Sequence, residues 1–143
     1  PNLIAQASKE FGAQFFVLSV DTKKTEKGWR ITTVGSRQDE GMDLFHWVKQ
    51  AVDLGAGEIL LNVIDADGTR DGYAVEVTRE VGRTVSVPVI ASGGAGSLEH
   101  VREVLDEGEA DAALIASLVH DKDYTVKDIK DYLIEKKVNV RPC

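Results

Sequence analysis

Glycine-rich and polar segments follow the apolar runs of this chain, and their composition suits the binding of an anion. They are Asp21, Asp65-Ala66-Asp67-Gly68-Thr69, Ser92-Gly93-Gly94-Ala95-Gly96 and Ala116-Ser117. Glycines let backbone N–H groups approach an anion, and a helix that begins after such a loop adds partial positive charge. Any one of these loops is equally well explained as a tight turn. Because one loop carries Gly-Gly and its neighbour Ala-Ser, we expect a phosphate site.

Three carboxylates at the ends of the apolar runs are candidates for acid–base chemistry. Asp21 ends a run with no turn-forming residue directly after it, which fits a general acid or base and also a surface turn. Asp65 and Asp67 flank the start of a turn, where Asp commonly bonds to the backbone. We therefore expect one of these two to be structural.

Four apolar runs of strand length alternate with segments of helical period. The runs are Phe15–Val20, Glu58–Ile64, Val87–Ser92 and Asp111–Ala116. They are apolar at nearly every position, which is typical of strands covered on both faces in a parallel sheet. Apolar residues three and four apart predict helices over Leu3–Phe11, Leu44–Val52, Val75–Val81, Leu98–Leu105 and Val126–Leu133.

Local signals refine these boundaries. Ser97 and Thr125 occupy N-cap positions, and Thr125 is followed three residues later by Asp128, a loose capping box. The segment after Asp21 is polar on one side. It predicts a turn and a short extra strand, Trp29–Gly35, before the next helix.

One helix followed by four β-then-α units predicts a single α/β domain over residues 1–143, with parallel strands. Four strands fit half of an eight-stranded TIM barrel, with all helices on one face, or a flavodoxin-like open sheet with helices on both. We favour the half-barrel. Its inner face and edges would be bare and would need a partner. The residues expected on that face are Phe16, Leu18, Leu60 or Leu61, Val89 and Ile115.

Composition limits the classes of partner and site. The formal net charge of −7 argues against nucleic acid and anionic membranes as partners. Cys143 is the only cysteine, which excludes internal disulfides and fits a reducing cytoplasm. The histidines lack metal-ligand spacing, so we expect no metal or other cofactor. No leader indicates secretion, and Pro1 in place of an initiator Met suggests a trimmed or partial chain.

Two segments carry a resemblance to a known family. They are Gly57–Tyr73, which contains Asp-Gly-Thr, and Val87–Gly96, which contains Ala-Ser-Gly-Gly-Ala-Gly. The chain resembles the cyclase-subunit family of imidazole glycerol phosphate synthase, of histidine biosynthesis. That family forms a complete eight-stranded barrel, and the resemblance places essentially this whole chain in its C-terminal half.

The resemblance implies roles at matching positions. Asp21 resembles the aspartate that works in the acid–base steps of the lyase and cyclisation reaction. Glu58 resembles one member of a charged ring at the barrel floor, where ammonia enters from a glutaminase subunit. The implied phosphate site consists of Asp67, Gly68, Ser92, Gly93, Gly94, Ala116 and Ser117.

The chain departs from the family pattern near this chemistry. Asn62-Val63 replaces the usual Thr-Ser, which removes a hydroxyl, and Glu40 replaces the usual Thr before Gly41. We expect a half-barrel that binds a phosphorylated small molecule, self-associates as a homodimer or higher even oligomer, and has weak or no turnover alone. The alternatives are an active cyclase completed by its missing half, and a non-catalytic phosphate-binding or self-assembling module.

Overall fold

The computed structural model describes residues 1–33 and 38–143 of the chain. Its helices are α1 (Asn2–Phe11), α2 (Leu44–Asp53), α3 (Val75–Thr84), α4 (Leu98–Asp106), α5 (Ser117–His120) and α6 (Val126–Glu135). Its strands are β1 (Val17–Thr25), β2 (Gly28–Thr33), β3 (Gln38–Asp43), β4 (Glu58–Val63), β5 (Val89–Ser92) and β6 (Ala112–Ala113). The five helices expected from periodicity are confirmed, and α5 is an additional short one.

The strands form one sheet in the order β3-β2-β1-β4-β5-β6. β1, β4, β5 and β6 are parallel, as expected, whereas β2 and β3 pair antiparallel beside β1. The prediction of a single extra strand is therefore incomplete, because β2 is followed by β3. Val34 and Gly35, at the end of that predicted strand, lie outside the described residues.

Two strands differ most in length from the sequence prediction. Phe15 belongs to a 3₁₀ turn, Ala13–Phe15, so β1 begins later and continues past Asp21 to Thr25. The hairpin with β2 extends β1, since Asp21 to Thr25 pair with residues of β2. Conversely, β6 has only two residues in place of the predicted six.

The helices pack against one face of the sheet. One core joins β1, β4 and β5 to α2 and α3 through Val20, Ile59, Leu61, Val89, Leu44, Val48, Val77 and Val81. A second core joins β5 to α4 and α6 through Ala91, Val101, Val104, Ile129 and Leu133. Alternate strand residues point to opposite faces, and the sheet residues in both cores share one parity. This one-sided arrangement matches part of a TIM barrel whose sheet is not closed, and excludes the flavodoxin-like alternative for the described residues.

The other face of the parallel strands, which we call the open face, carries a different set of side chains. These are Val17, Ser19 and Asp21 of β1, Glu58, Leu60 and Asn62 of β4, and Ile90 and Ser92 of β5. Of the residues expected on the inner face, only Leu60 lies on the open face. Phe16 and Leu18 pack against the core between α1 and α2, Leu61 and Val89 belong to the first core, and Ile115 packs against the second. A run that is apolar at every position does not indicate which side chains face the helices, so the expectation was wrong for these residues.

Capping residues behave as predicted. The Ser97 hydroxyl accepts a hydrogen bond from the His100 backbone N–H at the start of α4. Thr125 and Asp128 form a full capping box at the start of α6. No helix in the described ranges is long and apolar enough to cross a bilayer.

Candidate functional site

A cavity of about 180 Å³ opens where β4, β5 and β6 end. All of the residues expected at the phosphate site line it: Asp67, Gly68, Ser92, Gly93, Gly94, Ala116 and Ser117. Arg70, Ala95 and Leu114 complete the lining. Pockets for drug-sized ligands occupy about 300–1,000 Å³, so this cavity suits a small group.

Backbone donors at this cavity come from loops rather than from long helices. Within the described ranges, the N–H groups of Gly68 and Gly94 have no hydrogen-bond acceptor. Gly94 is buried, and a buried N–H ordinarily has a partner. A bound anion or water would satisfy it.

The loops after β4, β5 and β6 hold one another in place. Gly72 N–H donates to the Gly94 carbonyl at 2.8 Å, and the Ser117 hydroxyl donates to the Ala95 carbonyl at 3.2 Å. The buried Tyr73 hydroxyl donates to the Leu114 carbonyl at 2.8 Å, and burial raises the pKa of Tyr73 above its usual value. The cavity wall is therefore fixed by contacts among three separate loops.

Asp21 lies on the open face, in register with residues of two neighbouring strands. Asp21 pairs with Asn62, which pairs with Ser92, so the three share one row across the sheet. Asn62 Nδ2 donates to Asp21 Oδ1 at 3.1 Å, and this contact is partly buried. Ser92 lines the cavity two strands away, roughly 10 Å at the usual strand spacing. The departure at Asn62 thus replaces a hydroxyl with an amide donor to Asp21.

The position of Asp21 corrects one expectation. The strand does not end there, because β1 continues into the hairpin with β2. The parallel pairing with β4 does end one residue later, at Thr22 with Val63. Asp21 consequently occupies the carboxyl end of the parallel part of the sheet.

The structure separates the two carboxylates after β4. The Asp65 carboxylate accepts a hydrogen bond from Lys24 N–H at 2.7 Å, which ties the loop after β4 to the extended part of β1. Asp67 lines the cavity. Asp65 is the structural carboxylate, and Asp67 remains the site candidate.

Sequence reasoning did not single out Arg70 as a site residue. It is the only cationic side chain among the described residues that line the cavity. Its guanidinium contacts Asp121 at 3.3 Å and also Asp123, both beyond α5. A basic residue two positions after Gly68 was the available signal, but its carboxylate partners are about fifty residues away in the chain.

A larger, mainly apolar cavity of about 660 Å³ lies beside β6 and shares no lining residue with the candidate site. It is lined by side chains of α4, β6, α6 and the segment after α6, including Val101, Ala112, Ile129, Leu133 and Val140. β6 pairs with β5 on one side. β6 is the last strand in the sheet order, so its other edge has no neighbouring strand among the described residues.

Within residues 1–33 and 38–143, no three His, Cys, Asp or Glu side chains are grouped as metal ligands would be.

Comparisons with known proteins agree with the architecture. A family model described as "Histidine biosynthesis protein" matches residues 1–125. The imidazole glycerol phosphate synthase subunit HisF of Prochlorococcus marinus (strain MIT 9515) is 48% identical over 99% of this chain and 56% of its own length. The subunit of the same name from strain MIT 9215 is 49% identical over 99% of this chain and 57% of its own length. The chain thus spans a little over half the length of these relatives.

Proposed function

Since the chain belongs to the histidine biosynthesis protein family, we propose that it contributes the phosphate-anchoring part of an imidazole glycerol phosphate synthase cyclase site. The observation that carries this proposal is the cavity at the ends of β4, β5 and β6. Residues from three separate loops, chosen from sequence alone, meet there. The ligand is a phosphorylated small molecule, held by backbone N–H groups that include those of Gly68 and Gly94.

Asp21 is the acid–base residue of the proposed site. Its carboxylate lies in the same row as Asn62 and Ser92, on the open face that would become the barrel interior. The partly buried hydrogen bond from Asn62 Nδ2 holds the carboxylate in place. A substrate whose phosphate occupies the cavity would extend across the open face toward Asp21.

Glu58 and a glutaminase subunit complete the proposal. Glu58 begins β4 on the open face. It lies at the amino end of the strand, whereas Asn62, on the same face, lies near the carboxyl end. A charge at that end of the barrel suits the entry of ammonia from a glutaminase partner.

The phosphate site can be tested at Gly68. Gly68 has a φ of +74° and nothing within 4 Å of an added Cβ, so Ala there would narrow the cavity without an internal clash. We expect the added methyl group to keep phosphate away from the Gly68 N–H. Gly68→Ala should therefore weaken binding of inorganic phosphate about 10-fold, the effect of losing one hydrogen bond to a charged group. Titration followed by backbone amide NMR measures it.

Gly28→Ala is the matched control. Gly28 has a φ of +94° and open space around it, but it is the first residue of β2, in the hairpin with β1. Both variants bear similar backbone strain, so equal phosphate binding in the two would contradict the site. Gly94 is a poor probe of binding, because a Cβ there would lie 2.0 Å from the Gly72 carbonyl oxygen.

The chain also completes its barrel by self-association. It supplies four parallel strands, and a barrel filled by its own side chains needs about eight. Val17 and Leu114 are exposed beside the partly exposed Leu60 and Ile90, and such a surface favours association. The outer edge of β6 and the mainly apolar cavity beside it give a second copy a place to pair.

We expect the chain to sediment as a dimer or a higher even oligomer at micromolar concentration. Ile90→Lys would place a charge inside the closed barrel. We expect it to raise the dissociation constant of the oligomer 10-fold or more, which corresponds to a loss of about 1.4 kcal/mol or more of association free energy. Ile134→Lys is the control, because Ile134 is already exposed on α6. A folded monomer for the unmodified chain would contradict self-association.

A further inference from the structure

Arg70 has no role in the proposed function, yet it is a cationic residue that lines the cavity. It lies in the loop between β4 and α3, three residues after Asp67. Its backbone has a φ of +63°, a left-handed conformation that residues other than glycine rarely adopt. An added Cβ on Gly96 would lie 1.9 Å from the Arg70 carbonyl oxygen. The backbone of Arg70 is thus packed tightly against the loop after β5, and its side chain extends from a fixed point.

Two carboxylates hold the guanidinium of Arg70. Arg70 Nη1 lies 3.3 Å from Asp121 Oδ2, and Nη2 bonds to Asp123. These contacts raise the pKa of Arg70, mainly through the hydrogen bond to Asp123, so the group stays cationic. All three side chains are substantially exposed. Exposed ion pairs contribute little net stability, so such a pair can exchange partners at low cost.

The surroundings of the cavity are otherwise unfavourable to an anion. Asp67 lines it, and Asp121 and Asp123 form ion pairs with Arg70, which also lines it. Backbone N–H groups alone would have to offset these negative charges. A guanidinium matches phosphate oxygens with two parallel hydrogen bonds and carries a full positive charge.

We propose that Arg70 is the cationic ligand of the phosphate in this cavity. In the absence of phosphate, Asp121 and Asp123 bind its guanidinium and compete with phosphate for it. The proposal rests on the proposed phosphate site and extends it. Phosphate binding exchanges an arginine–carboxylate pair for an arginine–phosphate pair, and the released carboxylates return to water. The affinity for phosphate is therefore set by competition, and removing the carboxylates strengthens it.

The test titrates inorganic phosphate into the full chain and follows backbone amide resonances of the three loops at low and moderate salt. Arg70→Gln is expected to weaken binding about 10- to 100-fold, the range for losing hydrogen bonds to a charged group. Arg70→Lys keeps the positive charge but not the two parallel N–H donors of the guanidinium, so its phosphate affinity should lie between those of the unmodified chain and Arg70→Gln. The double variant Asp121→Asn, Asp123→Asn is expected to bind phosphate several-fold more tightly than the unmodified chain.

Arg83 and Glu109 provide a matched control. They form an exposed ion pair between the end of α3 and the segment after α4, away from the cavity. Arg83→Gln and Glu109→Gln should leave phosphate affinity unchanged, whereas a general effect of net charge would move it. Thermal unfolding of each variant shows that it remains folded.

The outcomes separate the inference from the function on which it rests. If the unmodified chain binds phosphate and Arg70→Gln binds it equally well, Arg70 is not a ligand and the phosphate site stands. If the double Asn variant binds phosphate more weakly than the unmodified chain, the two carboxylates position Arg70 for phosphate, and the proposed competition between carboxylates and phosphate is wrong. If the unmodified chain binds no phosphate, both proposals fail.

Discussion

Replacing Asp21, the proposed acid–base residue, by Asn is expected to lower any cyclase turnover by about 10²- to 10⁴-fold, the usual contribution of a general acid or base. Asn cannot exchange a proton in this role, but it keeps an oxygen that can accept from Asn62 Nδ2. The bond to Asn62 is one of the contacts that hold this part of β1 against β4. Stability should therefore change by less than about 1 kcal/mol, the typical net value of such a bond.

The measurements are steady-state turnover together with chemical denaturation. Asp111→Asn is a matched control, because Asp111 Oδ2 accepts a hydrogen bond from Val89 N–H at the opposite end of the strands. That variant should retain turnover. An Asp21→Asn protein with normal turnover would remove Asp21 from the chemistry, and one that is strongly destabilised would make it a structural residue.

Gly94→Ala is expected to be among the most destabilising single changes in the chain. Its Cβ would lie 2.0 Å from the Gly72 carbonyl oxygen, and its φ of +99° is unfavourable for any L side chain. A steric clash in packed structure costs about 1–3 kcal/mol, and the backbone conformation adds about 1–2 kcal/mol. We expect a loss of about 2–5 kcal/mol in the free energy of unfolding, measured by urea denaturation.

Two further variants separate the causes. In Gly96→Ala the added Cβ would lie 1.9 Å from the Arg70 carbonyl oxygen, a comparable clash, but the φ of Gly96 is not positive. Gly68→Ala has a positive φ and open space, so it reports the conformational cost alone. If Gly94→Ala were no more destabilising than Gly68→Ala, the tight contact between the two loops would not be a source of stability.

Much of the element order could be predicted from the sequence because it depends on local patterns. Apolar spacing identified α1, α2, α3, α4 and α6, and the Thr125 capping box followed from two residues three apart. The β2–β3 hairpin was only half anticipated. β3 is polar, Gln-Asp-Glu-Gly-Met-Asp, and carries no apolar signal; it forms a strand because β2 offers it an edge.

Several features of the site depend on contacts between distant parts of the chain. Asn62 and Asp21 are 41 residues apart, and the bond between them requires the register of β1 with β4. Arg70 reaches Asp121 and Asp123 only because the loops after β4 and β6 are neighbours in space. Sequence patterns within one segment carry no information about such pairs.

Local sequence patterns were enough to predict that parallel strands would end in glycine-rich loops on one edge of a sheet, because strand direction and βα alternation follow from local hydrophobic period. Most of the residues that line the cavity could therefore be identified before their geometry was known. Tertiary packing established which face of the sheet is open. In strands that are apolar at nearly every position, the sequence does not distinguish the two faces, and only the packing of the helices shows which side chains they cover. Tertiary packing also decided which carboxylate is structural, which amide holds Asp21, and which cation stands at the cavity, because each depends on through-space contacts that close only when the sheet forms.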